Sequence, residues 1–494
     1  MKRNLSNRKL TYILVFVFIL ISFFPLFAFL GTSPLRTWDE SRLAASAYEM
    51  TQTKNPLIVT FDYKPDHWSV KPPLTIWTQA LSIKLFGVNE VAVRLPSALS
   101  ILFLGIIIIL LFSKINKPFI GFYASFILIC TKGVLYYHFG RSADYDAMLT
   151  MFVISYAISL FIFTENRQTK YYLLFFMFLI LATLTKGVQA LIPLPFIFLY
   201  ILLRKQLLDI LKNKFTYIGI GVFILLIGGY YFGREIFDSG YLKAVYENEL
   251  GGRYLTALEG HKEKKDFYFW ELKDNLFTFF FWLLPFALVL NLIVKDKLSR
   301  RISNFAFGIV LTIFIVISIG QTKLTWYAFP ILPFLAIIVA TSFNTIQTWL
   351  LSFKKYRTIR IVFIIVAVLS TFFYPYKEIS RHFYKQKEEE WFQDYYSRLE
   401  IMKKLINKEL VYNDTLVYIN QDNQQDFLFY IYAMNHYGIA NDRKEIHQLE
   451  VEELVQINEP KTDNEIKAKF EYDTLYHHIQ SKIVRLKALK DEIK

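Results

Sequence analysis

Long apolar runs, separated by short charged connections, fill the first 376 residues of this chain. A bilayer core about 30 Å thick needs roughly 20 apolar residues of helix to cross it. The pattern predicts about eleven spans, at 11–30, 94–112, 118–138, 147–164, 170–185, 188–203, 215–233, 276–294, 303–320, 324–345 and 359–376. The runs are apolar on every side rather than along one stripe, which excludes a large soluble all-α protein. Met1–Thr11 is basic and no small-residue cleavage pattern follows the first run, so a retained span is expected rather than a cleaved leader.

Two regions break the pattern. The long connection Gly31–Arg94 is predicted to hold two short helices. One starts at Asp39 or Glu40 and runs to about Met50; the other runs Leu74–Phe86, started by Pro72-Pro73 and stopped by Gly87. The second is too short to span and should lie in the membrane interface. After Pro375 the chain turns polar, with a strand predicted at Thr415–Asn420 and a helix at Asp426–Asn435. The expected architecture is an all-α polytopic membrane domain, 1–376, followed by a small α/β domain, 377–494.

The net charge of +14 invites a nucleic-acid reading, but its distribution excludes one. The excess Lys and Arg fall in alternate connections: Lys114 and Lys117, Arg167 and Lys170, Arg204 to Lys214, Lys295 to Arg301, and Lys354 to Arg360. That is the positive-inside pattern of a multi-pass protein of the cytoplasmic (inner) membrane, and it places those connections and the N-terminus in the cytoplasm. By parity the other connections and the C-terminal domain are extracytoplasmic. Cys130, the one cysteine, permits no intramolecular disulfide.

The extracytoplasmic connections carry isolated charges among aromatics, and ionisable groups at membrane depth tend to mark function. Asp39 and Arg42 are three apart and share a helical face; the carboxylate suits proton acceptance and the guanidinium suits a phosphate. The same spacing fits a solvated ion pair. Lys71 precedes a helix start, where it either neutralises a phosphate or snorkels to the surface. Asp146 opens a span, as a site residue or as a partner of the helix dipole. Lys186 and Lys323 interrupt apolar sequence and serve as site residues or as interface anchors. Arg253 and His261 lie in an acidic loop with Glu247, Glu249 and Glu259, without the spacing of a dedicated zinc motif.

The segment Trp38-Asp39-Glu40-Ser41-Arg42-Leu43-Ala44, the Lys71-Pro72-Pro73 run and Leu85-Phe86-Gly87 through Val93-Arg94 resemble the aminoarabinose transferase family, which shares the GT-C fold with protein O-mannosyltransferases. Arg141 followed by Asp146, Thr185-Lys186-Gly187, the Glu247–Arg253 loop and Lys323 with Tyr327, Pro330 and Pro333 extend the resemblance over roughly the first 345 residues. It implies an inverting glycosyltransferase that takes sugar from a polyprenyl-phosphate carrier and gives it to a lipid A, glycan or protein acceptor. A transporter of lipid-linked sugars is the alternative. The resemblance makes Asp39 the essential acid, Arg42 and Arg253 carrier-phosphate contacts and Lys71 a pocket lysine. With the residue-level reading, the candidates are Asp39, Lys71 and Asp146 for catalysis, Arg42, Arg253 and Lys323 for the donor phosphate, and Glu40, Lys186, His261 and Tyr327 beside them. Val70 stands where the family carries a glutamate linked to metal binding, and Asn248 and Glu249 occupy the stretch of its loop histidine. A divalent metal is therefore possible, with no ligand set assigned.

Single cysteines placed at Lys205 and at Asp39 should react with a membrane-impermeant thiol reagent from opposite sides of the membrane. Labelling of both from one side would overturn this topology.

Overall fold

Helix length sorts the apolar runs. The chain folds as shown by a computed structural model, which describes residues 2–36, 38–53, 55–135, 138–252, 261–352, 357–385, 390–419 and 424–490. Among the described residues, eight helices are long and apolar enough to cross a membrane. The other three expected spans appear as shorter apolar helices, Pro118–Ile129, Leu194–Leu203 and Leu283–Ile293. The run predicted at 118–138 stops early for a local reason. Lys132 and Gly133 follow, Lys132–Leu135 forms a 3-10 turn, and a Cβ at Gly133 would stand only 3.0 Å from the Leu276 carbonyl oxygen. His138 then takes a positive φ of 71°.

The helix Asp146–Asn166 is almost wholly buried and forms the centre of the bundle, whereas Arg357–Lys385 lies on its periphery. That last helix does not end near Pro375 but runs on to Lys385. A proline inside an apolar span is tolerated where neighbouring groups re-satisfy the freed carbonyl, and the Lys- and Glu-containing turns beyond it are good helix formers.

Side-chain pairs separate the connections into two sets. Lys117 pairs with Asp296, Glu165 with both Arg204 and Arg301, and Arg167 with Asp209, which ties together the connections rich in Lys and Arg. At the other set, the loop after the first helix folds into Asp39–Thr53 and Leu74–Phe86, joined by a two-residue hairpin of Thr60–Phe61 with Lys64–Pro65.

The C-terminal domain is a five-stranded sheet in the order Asn441–Lys444, Leu416–Ile419, Leu454–Ile457, Ser481–Leu489, Phe470–His478. The first three strands are parallel and the last two antiparallel. Its helix Gln424–His436 seats on the helix Asp39–Thr53. The Tyr432 hydroxyl donates to Glu49 (2.8 Å), Tyr430 bridges Glu90 (3.0 Å) and the Leu35 amide (2.8 Å), and Arg443 pairs with Asp62 (3.0 Å). The domain is therefore built into the first loop.

A Cβ at Gly121 would lie 2.8 Å from the Ile109 backbone Cα, which cannot swing aside; a Cβ at Gly221 meets nothing within 4 Å. Gly121→Ala should lower the melting temperature in detergent by an amount equivalent to about 1–3 kcal/mol, while Gly221→Ala leaves it unchanged or slightly raised.

Candidate active site

The first loop owes its shape to a carboxylate that points away from solvent. Glu40 is 2% exposed and receives a forked pair of hydrogen bonds from Arg94 (2.8 and 2.9 Å), plus the backbone amides of Arg36 (2.7 Å) and Ala143 (2.9 Å). Arg94 also donates to the carbonyls of Leu30, Ser33 and Pro34. Burial raises the Glu40 pKa, but the Arg94 guanidinium outweighs it and holds the carboxyl below its ordinary range. This stabilisation is complete above the ordinary carboxylate pKa and is lost as pH falls through the depressed folded value. Glu40 thus acts as a structural knot rather than as part of the cavity wall.

Next to it, Asp39 starts the helix Asp39–Thr53 and points the other way, into a cavity of about 710 Å³ that is also lined by Arg42, Lys71, Asp144, Lys186 and Trp326. His261 and Tyr327 line the same cavity. Five separate stretches of chain therefore contribute candidate residues to one space. Arg42 is present but engaged: its guanidinium forks onto Asp66 (2.8 and 3.1 Å) and lies 4.0 Å over the Phe61 ring. Asp66 in turn accepts the amides of Trp68 and Ser69, which fixes the approach to Lys71. Lys71 faces Glu249 at 3.7 Å and lies 5.3 Å over the Tyr145 ring. Burial raises the pKa of Tyr145 well above its ordinary value, so its hydroxyl stays protonated and pairs with Ser69 (3.0 Å).

Asp146 does not line this cavity. It opens the helix Asp146–Asn166 beside an adjoining apolar groove of about 770 Å³, whose wall includes Leu149, Val153, Ile192, Ile313 and Ile317. Both Asp146 carboxylate oxygens accept from the Lys186 ammonium at 2.7 Å, and both side chains are buried. Gly187, at φ 56°, ends the helix Thr169–Lys186 so that Lys186 is its last residue; a Cβ there would meet the Tyr231 hydroxyl at 2.9 Å. The groove and the cavity share Gln189 and Tyr327. Lys323 is buried, donates to the Gly320 carbonyl (2.7 Å), and is absent from the cavity wall. Arg253, like Glu259, lies outside the described residues.

Sequence reasoning missed His138 altogether. Its Nδ1 faces Asp144 at hydrogen-bonding distance and Asp39 Oδ2 at 3.6 Å, and its ring stacks on Trp326 with centroids 3.8 Å apart. Burial raises the Asp144 pKa, but the attraction of His138 and then Lys186 prevails and lowers it. Arg141, part of the sequence resemblance, caps the end of the first helix by donating to the carbonyls of Pro25, Leu26 and Ala28.

The family model described as dolichyl-phosphate-mannose-protein mannosyltransferase matches residues 70–230. An uncharacterized protein of Aquifex aeolicus is 31% identical over 366 residues, 73% of this chain and 68% of that protein. An undecaprenyl phosphate-alpha-4-amino-4-deoxy-L-arabinose arabinosyl transferase of Shewanella sediminis is 28% identical over 218 residues, 42% of this chain and 37% of that enzyme. Among solved structures, ArnT from Cupriavidus metallidurans bound to undecaprenyl phosphate has the same fold, with a TM-score of 0.72 at 13% identity, covering 95% of this chain and 97% of that one.

Removing one member of a buried ion pair costs about 3–5 kcal/mol, because the other charge is left uncompensated. Lys186→Met alone should therefore destabilise strongly, and Asp146→Leu added to it should recover most of the loss. Thermal unfolding in detergent of the two single variants and the double variant checks the coupling.

Proposed function

Since the chain belongs to the aminoarabinose transferase and protein O-mannosyltransferase-like family of polyprenyl-phosphate-sugar membrane glycosyltransferases, we propose that its cavity transfers a sugar from such a donor to an acceptor hydroxyl on the extracytoplasmic face of the cytoplasmic membrane. The observation that carries this reading is the junction of the apolar groove with the charged cavity at Gln189 and Tyr327. A polyprenyl chain fits the first and a sugar phosphate the second. In this reading the carrier lies along Leu149, Val153, Ile192 and Ile313, and its phosphate reaches the cavity beside Lys71 and Lys186.

The reaction asks little else of the protein. The acceptor oxygen attacks the anomeric carbon from the face opposite the carrier phosphate; the new C–O bond forms as the sugar–phosphate bond breaks, and the anomeric configuration inverts. Asp39 takes the acceptor proton. Lys71 is held to Glu249 only at 3.7 Å, and it moves to meet the phosphate as charge builds on it. Arg42 acts mainly by holding Asp66 and the Trp68–Lys71 approach, and Asp146 by fixing Lys186. Arg253 stays in the reading as a phosphate contact by family resemblance alone. The transporter alternative expects polar groups at the bilayer midplane. Here the cavity residues Asp39, Lys71 and Lys186 sit at helix starts, a helix end and a loop.

An already ionised phosphate acceptor has no proton to lose, whereas a hydroxyl needs a base worth typically 10²–10⁴-fold. With a hydroxyl acceptor, Asp39→Asn should lower kcat by about that range while the donor KM changes little. Full turnover of Asp39→Asn with every acceptor tried would remove Asp39 from the chemistry. Turnover that falls only with phosphate-free acceptors would confirm the base.

A further inference from the structure

Two tryptophans, Trp38 and Trp68, line the cavity with 44% and 38% of their surface uncovered. The other aromatic rings of the wall are engaged: Tyr145 is buried, Trp326 stacks on His138, and the Lys186 ammonium faces the Tyr327 ring at 5.8 Å. The geometry points to Trp38 and Trp68 as the platform on which the sugar ring of the donor stacks by its C–H face. The inference rests on the glycosyltransferase reading for the presence of a sugar, and on the structure alone for the platform.

Backbone chemistry shows that Trp38 is there for its ring. The residue stands just before the helix Asp39–Thr53, and its carbonyl accepts the Arg42 amide (2.9 Å) and the Ser41 hydroxyl (3.3 Å). Such a position favours Ser, Thr, Asp, Asn or Gly in an extended conformation. Here a bulky residue sits at φ 70°, in the left-handed region where a Cβ crowds the backbone. Asparagine or glycine would fit this backbone better. Strain of this kind persists only where the surroundings enforce it, and it gathers at ligand sites.

Arg42 sets the two indoles relative to each other. Its amide is bonded to the Trp38 carbonyl, its guanidinium forks onto Asp66, and Asp66 Oδ1 accepts the Trp68 (2.9 Å) and Ser69 (3.1 Å) amides. The ring centroids lie 6.4 Å apart with planes inclined at 66°, so the pair forms an open corner rather than a closed stack. Trp38 adjoins Asp39, the proposed base, and Trp68 shortly precedes Lys71, the proposed phosphate contact. The transferred sugar must lie between those two groups, because its anomeric carbon is bonded to the phosphate on one side and attacked from the other. An indole face is electron-rich, and the C–H bonds of a pyranose, on carbons that bear oxygen, turn the positive end of their dipoles toward it. Stacking covers the apolar face of the sugar and leaves its hydroxyls at the rim. A belt of interfacial tryptophans would turn outward to the headgroups; both of these rings line the cavity.

The test compares ligands of the full-length protein in detergent, without acceptor. One is methyl undecaprenyl phosphate, which has the charge of a donor and no sugar. The others are undecaprenyl phosphates carrying glucose, mannose, galactose or 4-amino-4-deoxyarabinose. At least one glycoside should bind the unaltered protein about tenfold tighter than the methyl ester. Trp68→Leu and Trp38→Asn should each remove most of that gain and leave the methyl ester's affinity unchanged, while Trp68→Phe, which keeps a ring face, should retain most of it. Should a variant fail to fold, hydroxyl-radical footprinting of the unaltered protein gives a second measure. The tightest glycoside should protect Trp38 and Trp68 from oxidation, the methyl ester should not, and Trp270, exposed outside the cavity, should stay unprotected by either. Equal loss of affinity for both kinds of ligand in the leucine and asparagine variants, or a change confined to the acceptor KM in transfer assays, would overturn the donor platform and leave sugar transfer standing. Glycosides that are neither bound nor transferred would overturn the enzymatic reading together with the platform.

Discussion

The Glu40–Arg94 pair is the constraint on which the functional end of this molecule depends. A carboxylate and a guanidinium are both buried there, and the cost of desolvating them is offset only because nearly every donor and acceptor they own is used. Glu40 joins the start of the first-loop helix to the Ala143 amide, and Arg94 gathers the carbonyls of Leu30, Ser33 and Pro34. The pair thus brings the segment before Asp39 and the turn before Asp146 to one point. Asp39 faces the cavity because its neighbour Glu40 is held in the opposite direction.

A division of labour follows among charges that look alike in sequence. Arg94, Arg141 and Arg234 bind backbone carbonyls and shape loops; Arg234 donates to the Asp66 carbonyl and lies 3.9 Å over the Tyr241 ring. Arg42 and Asp66 stabilise the path into the cavity. Lys71 alone among the described cavity cations has a distant partner, at 3.7 Å, and so retains freedom to meet an incoming anion. Rigid and movable cations are arranged side by side.

The legible parts of the fold are those set by local chemistry. The helix Leu74–Phe86 has the predicted ends because the Pro72-Pro73 start and the Gly87 stop lie within a residue or two of them. The spans follow from runs of apolar residues, and the C-terminal strand and helix at Leu416–Ile419 and Gln424–His436 follow from a change of period. What escaped was pairing over distance. Asp146 and Lys186 each drew attention as charges in apolar sequence, but nothing in their 40-residue separation announces that they meet. The Arg42–Asp66 pair escaped because Asp66 lies in an irregular loop without periodicity. His138 gave no signal at all, since a lone histidine closing an apolar run looks like the end of a span. It comes to lie beside Asp39 and Asp144 because the helix breaks after Ile129.

The seat of the C-terminal domain on the first loop also sets a schedule. Glu49 meets Tyr432, 383 residues later, and Leu35 meets Tyr430, 395 residues later. At about 5–20 residues per second of synthesis, the early half of these contacts waits some 20–80 seconds for the late half. Through that interval the loop bearing Asp39 stands at the membrane without the helix that covers it. A loop made early is closed by a domain made much later, so the end that bears Asp39 takes its final form only after Tyr432 has been made.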